Sequence, residues 1–321
     1  MTCPTRPSRV PAVTSDGKPA RAPQSRHYMF GGGPVGVPSL PGGLYLVATP
    51  IGNLGDISLR ALETLAAADV IACEDSRVTR KLIEHYGIAT QLTPYHEHNA
   101  AEARPRLLAR LADGQSVALV SDAGTPLISD PGYKLVRAAC AAGHAVIAVP
   151  GASAVLTALS AAGLPTDRFF FEGFLPPSQA ARQRRIVALA SIPASLVLFE
   201  SGPRLPAALA DLASTLGPRD AAICRELTKL HEEIRRGPLD KLARHYAAGG
   251  ETRGEIVIVV APPRGGGKNA DDIDELLRRA LARVSVKDAV GEVAFATGRP
   301  RREVYQRALV LAKNGDHGLP S

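Results

Sequence analysis

Three loops in the first half of the chain combine glycine, proline and side chains that can bind a small molecule. They read ATPIGNLGD from Ala48, SDAGTPLISDPG from Ser121 and VPGASA from Val149. Glycine allows the backbone to approach a ligand closely, and proline fixes the turn. The three loops contain no lysine, and the chain has no G-x-x-x-x-G-K-[ST] phosphate loop. These loops suit a neutral or cationic molecule with adenine, ribose and amino-acid parts better than a nucleoside triphosphate.

The side chains in these loops offer oxygen atoms rather than cations. Asp122 could accept hydrogen bonds from ribose hydroxyls or a ligand ammonium, or it could bond only to its own loop backbone. Thr125 and Ser153 add hydroxyls to the second and third loops. Asp130 precedes Pro131 and a helical pattern, so we predict that it caps the next helix.

Alternating elements position the three loops within residues 42–150. Short apolar runs predict strands, and the amphipathic stretches between them predict helices. This alternation indicates an α/β domain with a largely parallel sheet covered on both faces. Because parallel strands end at one edge of a sheet, the three loops should meet there around one ligand. The strand segments are LYLVAT, DVIACED, SVALVSD and AVIAVPG.

The rest of the chain divides into three further regions. Residues 151–263 predict a second α/β domain with a mixed sheet, because its strands follow one another with few helical residues between them. Residues 264–321 predict a linker and a small helical bundle that either packs on the domains or contacts nucleic acid. The arginines available for such contact are Arg299, Arg301 and Arg302.

Residues 1–41 predict a disordered basic extension, because they are rich in Pro, Gly, Ser and Arg and lack hydrophobic periodicity. Within them, GGGPVG matches the dinucleotide-binding spacing G-x-G-x-x-G. No convincing strand precedes this stretch and no helix follows it, so we predict no dinucleotide site there.

Composition and charge limit the class of protein. The chain has 321 residues, of which 45% are hydrophobic, enough for two domain cores. Its net charge of +7 lies at the ends, since residues 1–41 hold five Lys and Arg against one Asp. Bulk charge therefore argues only for weak, salt-sensitive binding of nucleic acid.

No apolar run approaches the roughly 20 residues of a membrane span, and no signal peptide is evident, so we predict a soluble cytoplasmic protein. Four scattered cysteines predict neither a metal site nor a disulfide framework.

Seven ordered motifs between Gly43 and Pro263 carry a family pattern. They are ATPIGNLGDISLRAL, IACEDSRVTRKLIEHYGI, YHEHN, VALVSDAGTPLISDPGYKLV, VPGASAVLTALSAAGLPTDRFFFEGFLP, RELTKLHEE and RGEIVIVV. The chain thereby resembles the ribosomal RNA small subunit methyltransferase I family, a branch of the tetrapyrrole methylase superfamily. The resemblance implies two α/β domains of the tetrapyrrole-methylase type, a homodimer and S-adenosylmethionine bound in the cleft between the domains. It also implies 2′-O-methylation of a cytidine ribose in the decoding region of 16S rRNA, within the small ribosomal subunit.

The same resemblance implies which residues line the cofactor pocket. The first domain would contribute the three strand-end loops, and the second domain would close over them from the RELT segment and from a Gly-Glu at a strand start. One departure is FESGPRL, which has Ser-Gly-Pro where the family usually has Ser-Pro-His, so an imidazole is missing there. The implied residues, with Thr125 added from its loop, are Pro50, Gly52, Asn53, Asp122, Ala123, Gly124, Thr125, Gly151, Ser153, Ala154, Leu227, Thr228, Gly254 and Glu255.

Methyl transfer to a ribose oxygen requires a well-positioned hydroxyl, and a base or nearby cation would help. We favour Lys229 with Glu226, because a desolvated amine can act as a base or stabilise the developing oxyanion. The alternative for Lys229 is a surface charge paired with Glu232 or Glu233. Other candidates for the base are Glu74, Asp75, His96 and His98.

Cations in both domains predict contacts with RNA. The candidates are Arg77, Arg80, Lys81, Arg204 and Arg225. A solvated helix face is the alternative for the first three. Seven Phe, seven Tyr and no Trp argue against an aromatic stacking platform and favour recognition of the RNA by shape.

Two other functions stay open at this stage. A methylase of a tetrapyrrole small molecule would share the fold, and a non-catalytic ribosome-binding module could keep the pocket. The basic segment CEDSRVTRK and the helical bundle argue against the first alternative, because a small acidic macrocycle needs neither.

Overall fold

The computed structural model describes residues 26–250, 252–263, 270–297 and 299–314. The predicted extension lies outside these ranges up to residue 25. From there on, strands β1 (His27–Phe30) and β2 (Gly33–Gly36) form an antiparallel hairpin. The prediction of disorder up to residue 41 is therefore wrong for this hairpin, and GGGPVG forms its turn and second strand.

The hairpin is held by contacts that its own sequence pattern does not reveal. Tyr28 is 3% exposed and packs into the first-domain core with Leu82 and Ile83. Arg26 Nη2 donates to Asp69 Oδ1 at 2.6 Å, which fastens the start of the hairpin to the domain. With only four residues per strand, a hairpin shows too little periodicity to be recognised from sequence.

The first domain contains a five-stranded sheet in the order β5-β4-β6-β3-β7, and every neighbouring pair is parallel, as predicted. Helices lie on both faces, because the three central strands alternate their side chains between two apolar clusters. The strands are β3 (Gly43–Val47), β4 (Val70–Cys73), β5 (Leu92–Pro94), β6 (Ser116–Val120) and β7 (Val146–Val149). The helices are α1 (Leu59–Ala67), α2 (Ser76–His85), α3 (Ala100–Ala112) and α4 (Tyr133–Ala141).

Polar side chains cap the start of two helices in the first domain. Ser58 Oγ accepts from Ala61 N at 3.1 Å at the start of α1. Asp75 Oδ1 accepts from Arg77 N at 2.8 Å at the start of α2. Each cap satisfies a backbone donor that the first helical turn leaves without a partner, so each loop ends at a defined residue.

The second domain contains a mixed sheet in the order β11-β10-β12-β9-β8, in which only the β8–β9 pair is parallel. One face packs on helices α6 to α8, and the other packs on α5, which follows the third loop. The strands are β8 (Phe169–Phe174), β9 (Ser195–Ser201), β10 (Asp220–Arg225), β11 (Glu233–Pro238) and β12 (Glu255–Val260). The helices are α5 (Ala154–Ala162), α6 (Gln179–Leu189), α7 (Leu205–Leu216) and α8 (Leu239–Ala248).

The C-terminal bundle comprises α9 (Ala270–Leu281), α10 (Val286–Thr297) and α11 (Arg301–Asn314). Its core joins Val290 and Val293 to Val304, whereas Tyr305 and Leu309 are exposed. No helix in the described ranges is both long and apolar enough to span a membrane. The domain limits at residues 41, 150 and 263 stay predictions.

Candidate functional site

A cavity of about 410 Å³ lies between the loops of the first sheet and one face of the second sheet. Its volume falls within the range of small-molecule sites. Both domains contribute to its lining, which agrees with the position predicted at the strand ends. The predicted cofactor residues that line it are Asp122, Ala123, Gly124, Thr125, Ser153, Ala154, Leu227, Gly254 and Glu255, together with Lys229.

Hydrogen bonds hold the three first-domain loops together as one wall. Thr49 N donates to Gly124 O at 2.9 Å, and Gly124 N donates to Thr49 O at 3.0 Å, joining the first two loops. Thr125 Oγ1 donates to Ala152 O at 3.1 Å, joining the second and third. Gly124 has φ +79° and lies close to Ile51, so a side chain there would be strained.

Other predicted residues stand behind this wall rather than in it. Asn53 Oδ1 accepts from Gly55 N at 3.0 Å and caps a short 3₁₀ turn. A methyl group on Gly151 would lie 3.0 Å from Ala48 Cβ, so this glycine allows two loops to approach. Cofactor contact by the residues outside the lining stays a prediction, and these residues are Pro50, Gly52, Asn53, Gly151 and Thr228.

Three carboxyl groups on the first-domain side face the cavity: Glu74, Asp122 and Asp130. Burial raises the pKa of Glu74, and the nearby charges of Asp122 and Asp130 raise it further. Burial also raises the pKa of Asp130, against a hydrogen bond with Ser121 that lowers it. A cation in the cavity would relieve this electrostatic cost, because an opposite charge stabilises ionised carboxylates.

The prediction that Asp130 caps the next helix is wrong. Helix α4 begins at Tyr133 after Gly132, whose φ is +136°, and no side chain caps it. The glycine conformation turns the chain between Asp130 and the helix, which leaves the Asp130 carboxyl on the cavity. Only the electrostatic influence between Asp130 and the carboxyl groups of Glu74 and Asp122 distinguishes this position from an ordinary Asp-Pro turn.

Lys229 lies at the centre of a second-domain cluster. Its Nζ is 2.8 Å from Glu226 Oε1 and 3.0 Å from Glu255 Oε2. Glu255 N also donates to Glu226 Oε1 at 2.9 Å, so the two acids are held against each other. Of the two partners considered for a surface Lys229, Glu232 instead accepts from Thr228 N at 2.6 Å, and Glu233 pairs with arginines.

The environment of Lys229 favours its charged form. Burial lowers its pKa, but hydrogen bonds to Glu226 and Glu255 outweigh that effect and raise it. The same bond with Lys229 lowers the pKa of Glu226. Of the two roles predicted for Lys229, the arrangement therefore supports a cation that stabilises negative charge rather than a neutral amine base.

Strained backbone concentrates in two loops beside the cavity. Among the described residues, the non-glycine positions with positive φ are Leu127 (+74°), Ser129 (+66°), Glu226 (+50°) and Thr228 (+66°). Such conformations cost about 1–3 kcal/mol each and persist where surrounding contacts impose them, often at functional sites. The second loop and the RELTK segment therefore show the strained backbone that is common at binding sites.

Gly202, the glycine of the FESGPRL segment, has a packing role. A side chain on Gly202 would meet the backbone of Thr252 and would lie 2.8 Å from Arg253 Cα. Gly202 N donates to Gly254 O at 3.1 Å, so the end of β9 contacts the strand start that borders the cavity.

The two histidines considered as bases, His96 and His98, are absent from the cavity lining.

The predicted RNA contacts differ in how they are held. Arg77 pairs with Asp75 at 2.6 Å and is mostly exposed. The side chains of Arg80 and Lys81 are exposed on α2 and form no hydrogen bond or ion pair with any described residue. By contrast, two candidates in the second domain have intramolecular partners, since Arg204 pairs with Glu200 and Arg225 pairs with Glu233, each at 3.2 Å.

Several lining residues had no recognisable signal in the sequence. Apolar residues at strand ends look like ordinary core, and they become lining only where two domains meet. Burial raises the pKa of the lining thiol Cys224 to about 11, so this cysteine is an unreactive part of the wall. The unrecognised lining residues outside the three predicted loops include Val155, Phe174, Phe199, Cys224, Ile256 and Val257. Within the described ranges, no group of three or more His, Cys, Asp or Glu side chains could hold a metal ion.

Comparison with known proteins identifies the family. The family described as Tetrapyrrole (Corrin/Porphyrin) Methylases matches residues 43–243, and the RsmI C-terminal HTH domain matches residues 268–312. A Mesorhizobium japonicum protein named Ribosomal RNA small subunit methyltransferase I is 53% identical over 86% of this chain and 94% of its own. The chain belongs to the ribosomal RNA small subunit methyltransferase I family, within the tetrapyrrole methylases.

Other members of this methyltransferase I family and more distant structures agree. A relative of the same name from Erythrobacter litoralis is 50% identical over 84% of this chain and 95% of its own. A solved structure of diphthine synthase superposes with a TM-score of 0.54 at 21% identity, covering 68% of this chain and 89% of that chain. At that identity the superposition supports the fold alone.

Proposed function

We propose that the protein transfers a methyl group from S-adenosylmethionine to the 2′-hydroxyl of a cytidine ribose in the decoding region of 16S rRNA. One observation carries this proposal: the carboxyl groups of Glu74, Asp122 and Asp130 line one side of the cavity, and the charged Lys229 lines the other. The names of the relatives support RNA of the small ribosomal subunit as the substrate.

The cavity residues fit this cofactor chemically. Glu74, Asp122 and Asp130 are suited to a molecule that carries a sulfonium and an ammonium group. The hydroxyls of Thr125 and Ser153 can exchange hydrogen bonds with a ribose or a carboxylate. S-adenosylmethionine, when bound, supplies the electrophilic methyl group.

The chain itself would orient the ribose and stabilise charge on its oxygen, while the new oxygen–methyl bond replaces the sulfur–methyl bond and the hydroxyl proton passes to solvent. The Lys229 ammonium is suited to an oxyanion that develops at the cavity, because it is already ordered by Glu226 and Glu255. The lowered pKa of Glu226 makes it a weak base, so its part is to hold Lys229 in place. In this proposal Lys229 is a catalytic residue, while Glu226 and Glu255 are positioning residues.

The proposal extends to the setting of the reaction. The substrate would be the small ribosomal subunit, met by a homodimer in the cytoplasm. Arg80 and Lys81 are suited to phosphate contact, since they are exposed cations on one helix. The bundle that matches the HTH domain offers further cations at the start of α11, namely Arg299, Arg301 and Arg302.

Methyl transfer to small subunits from a strain that lacks the gene tests the proposal. The purified protein is incubated with these subunits and with S-adenosylmethionine labelled in the methyl group, and the rRNA is digested to nucleosides. Label on the 2′-oxygen of cytidine is expected, and Lys229→Met should remove most of it. Label on a base, transfer only to a tetrapyrrole, or no transfer would each contradict the proposal, and the last would favour a non-catalytic binding module.

A further inference from the structure

Three phenylalanine rings of the second sheet form a cluster at the cavity. Phe199 makes edge contacts with Phe171 at a centroid distance of 4.9 Å and with Phe174 at 5.6 Å. Phe174 lines the cavity, yet 55% of it is exposed. A large ring that lines a cavity and remains exposed has a face available to a ligand.

A β-bulge directs Phe174 toward the cavity. In a regular strand, residues three apart lie on opposite faces, so Phe171 and Phe174 would diverge. The register of β8 against β9 shifts between Phe171 and Gly173, which places Phe171 opposite Val197 and Phe174 opposite Phe199. Bulges are rare in parallel pairs and are over-represented beside active sites, where they re-aim side chains. This bulge brings both rings to the cavity face.

The backbone on each side of Phe174 is fixed. Before it, the carboxylate of Glu172 binds the guanidinium of Arg185, with Nη2 and Oε2 2.6 Å apart. After it, Arg204 Nη2 donates to Leu175 O at 2.5 Å. Gly173, with φ +76°, passes so close to the second loop that an added methyl group would lie 3.0 Å from Ser129 Oγ. The ring is thus exposed but its position is determined by the fold.

We propose that the Phe174 ring is the surface on which the base of the target nucleotide stacks. The inference rests on the proposed function. A ribose within structured RNA can reach an enclosed site only if its nucleotide leaves the stack, and the base then needs a new stacking partner. Aromatic side chains supply that partner in RNA-binding proteins. The small number of aromatic residues argued against such a platform, but the fold concentrates three of them here.

The position of Phe174 assigns it to the target base rather than to the adenine of the cofactor. The carboxylates suited to the cofactor lie on the first-domain wall, whereas Phe174 lies on the second-domain wall, on edge strand β8. Bound small molecules are mostly buried by their sites. A ring that is more than half exposed at the cavity rim is better placed for a group that arrives from outside. Ile128 of the facing loop lies beside Ser129, near the same rim, and also lines the cavity.

Steady-state kinetics with small subunits test the proposal. Phe174→Ala should raise KM for the subunit by about 5- to 150-fold, from the usual effect of removing one base-stacking ring. The Kd for S-adenosylmethionine, measured by calorimetry, should stay unchanged, and Phe174→Tyr should restore KM. The matched control is Phe169→Ala, which removes a ring of the same strand that is 45% exposed but does not line the cavity.

Three outcomes would overturn the inference. Phe174→Ala could behave like Phe169→Ala, or it could weaken cofactor binding, which would assign the ring to adenine. If the alanine variant melts early, Phe174→Leu replaces it, and wild-type KM in the leucine variant would exclude a stacking role. A wild-type protein that methylates no RNA would instead contradict the proposed function itself, so the two failures are distinguishable.

Discussion

Replacing Gly52 by alanine should displace Lys229 without altering the rest of the cavity lining. Gly52 has φ +154°, in the range that favours glycine. A methyl group added there would lie 2.8 Å from Lys229 Cε and closer still to Cγ. The lysine stem cannot easily yield, because its Nζ is bonded to Glu226 at 2.8 Å and to Glu255 at 3.0 Å. The methyl group fits only if the ammonium leaves these two carboxylates.

The magnitude follows from the proposed role of Lys229. Loss of one preorganised oxyanion donor typically lowers kcat by about 100- to 1000-fold. We expect Gly52→Ala to approach that loss. The Kd for S-adenosylmethionine should stay close to the wild-type value, because Gly52 does not line the cavity and the first-domain carboxyl groups suited to the cofactor are unchanged. The positive φ adds about 1–3 kcal/mol of strain, so rates must be measured where the variant is fully folded.

A double-mutant cycle separates this effect from a general disturbance. Single-turnover methylation is compared for Gly52→Ala, Lys229→Ala and the combined variant. In Lys229→Ala the long side chain is absent, so the methyl group added at position 52 contacts no lysine atoms. Adding Gly52→Ala to Lys229→Ala should therefore lower the methylation rate by less than about a further threefold. Lys229→Arg, which keeps the charge, should retain more activity than Lys229→Ala. Because the pKa of Lys229 is raised, the lysine should add no inflection to the rate between about pH 6 and pH 9.

The resemblance to the family implies that Gly52 touches the cofactor, and that alternative gives a different result. Cofactor contact predicts a raised Kd for S-adenosylmethionine in Gly52→Ala and effects that add to those of Lys229→Ala. Either finding would refute the reasoning that Gly52 exists to admit the Lys229 side chain.

Three further tests probe the cofactor wall, the hairpin and the RNA surface. Asp122→Ala should weaken S-adenosylmethionine binding by about tenfold or more, as hydrogen bonds to charged groups are worth about 1.5–3 kcal/mol; unchanged calorimetric affinity would remove Asp122 from the site. Tyr28→Ala should lower the free energy of unfolding by about 3 kcal/mol in urea titrations. Phe30→Ala, at a position 54% exposed, should have almost no effect, and equal losses would argue against a docked hairpin. Reversing Arg80 and Lys81 to glutamate should weaken subunit binding and reduce its log–log salt slope by about 0.7–0.9 per lost phosphate contact. An unchanged slope would place the RNA surface elsewhere.

The fold class and the place of the cavity could be predicted from local pattern. The strand and helix periods lie within short windows, and parallel strands must end at a common edge. The loops that hold Asp122 and Ser153 were therefore expected to meet, and they border the same cavity. Capping by Ser58 and Asp75 follows from the same local rules.

The hairpin and the Asp130 carboxyl show where local pattern fails. The start of the hairpin is held by Asp69, more than forty positions along the chain, and four-residue strands give no periodic signal. Asp130 has the sequence context of a helix cap, but the φ of Gly132 separates it from α4. In both cases a distant contact or one backbone angle overrides what neighbouring residues favour.

The amino-acid sequence by itself determined the two α/β domains, the loops that border the ligand site and the family. Tertiary structure alone decided that Lys229 is a charged group packed on Gly52, and that a bulge directs Phe174 into the cavity. These facts depend on distances between residues that are far apart in the chain, or on a register shift of one residue. A sequence pattern records which side chains are present and how they alternate, but these distances are set only when the two sheets pack together.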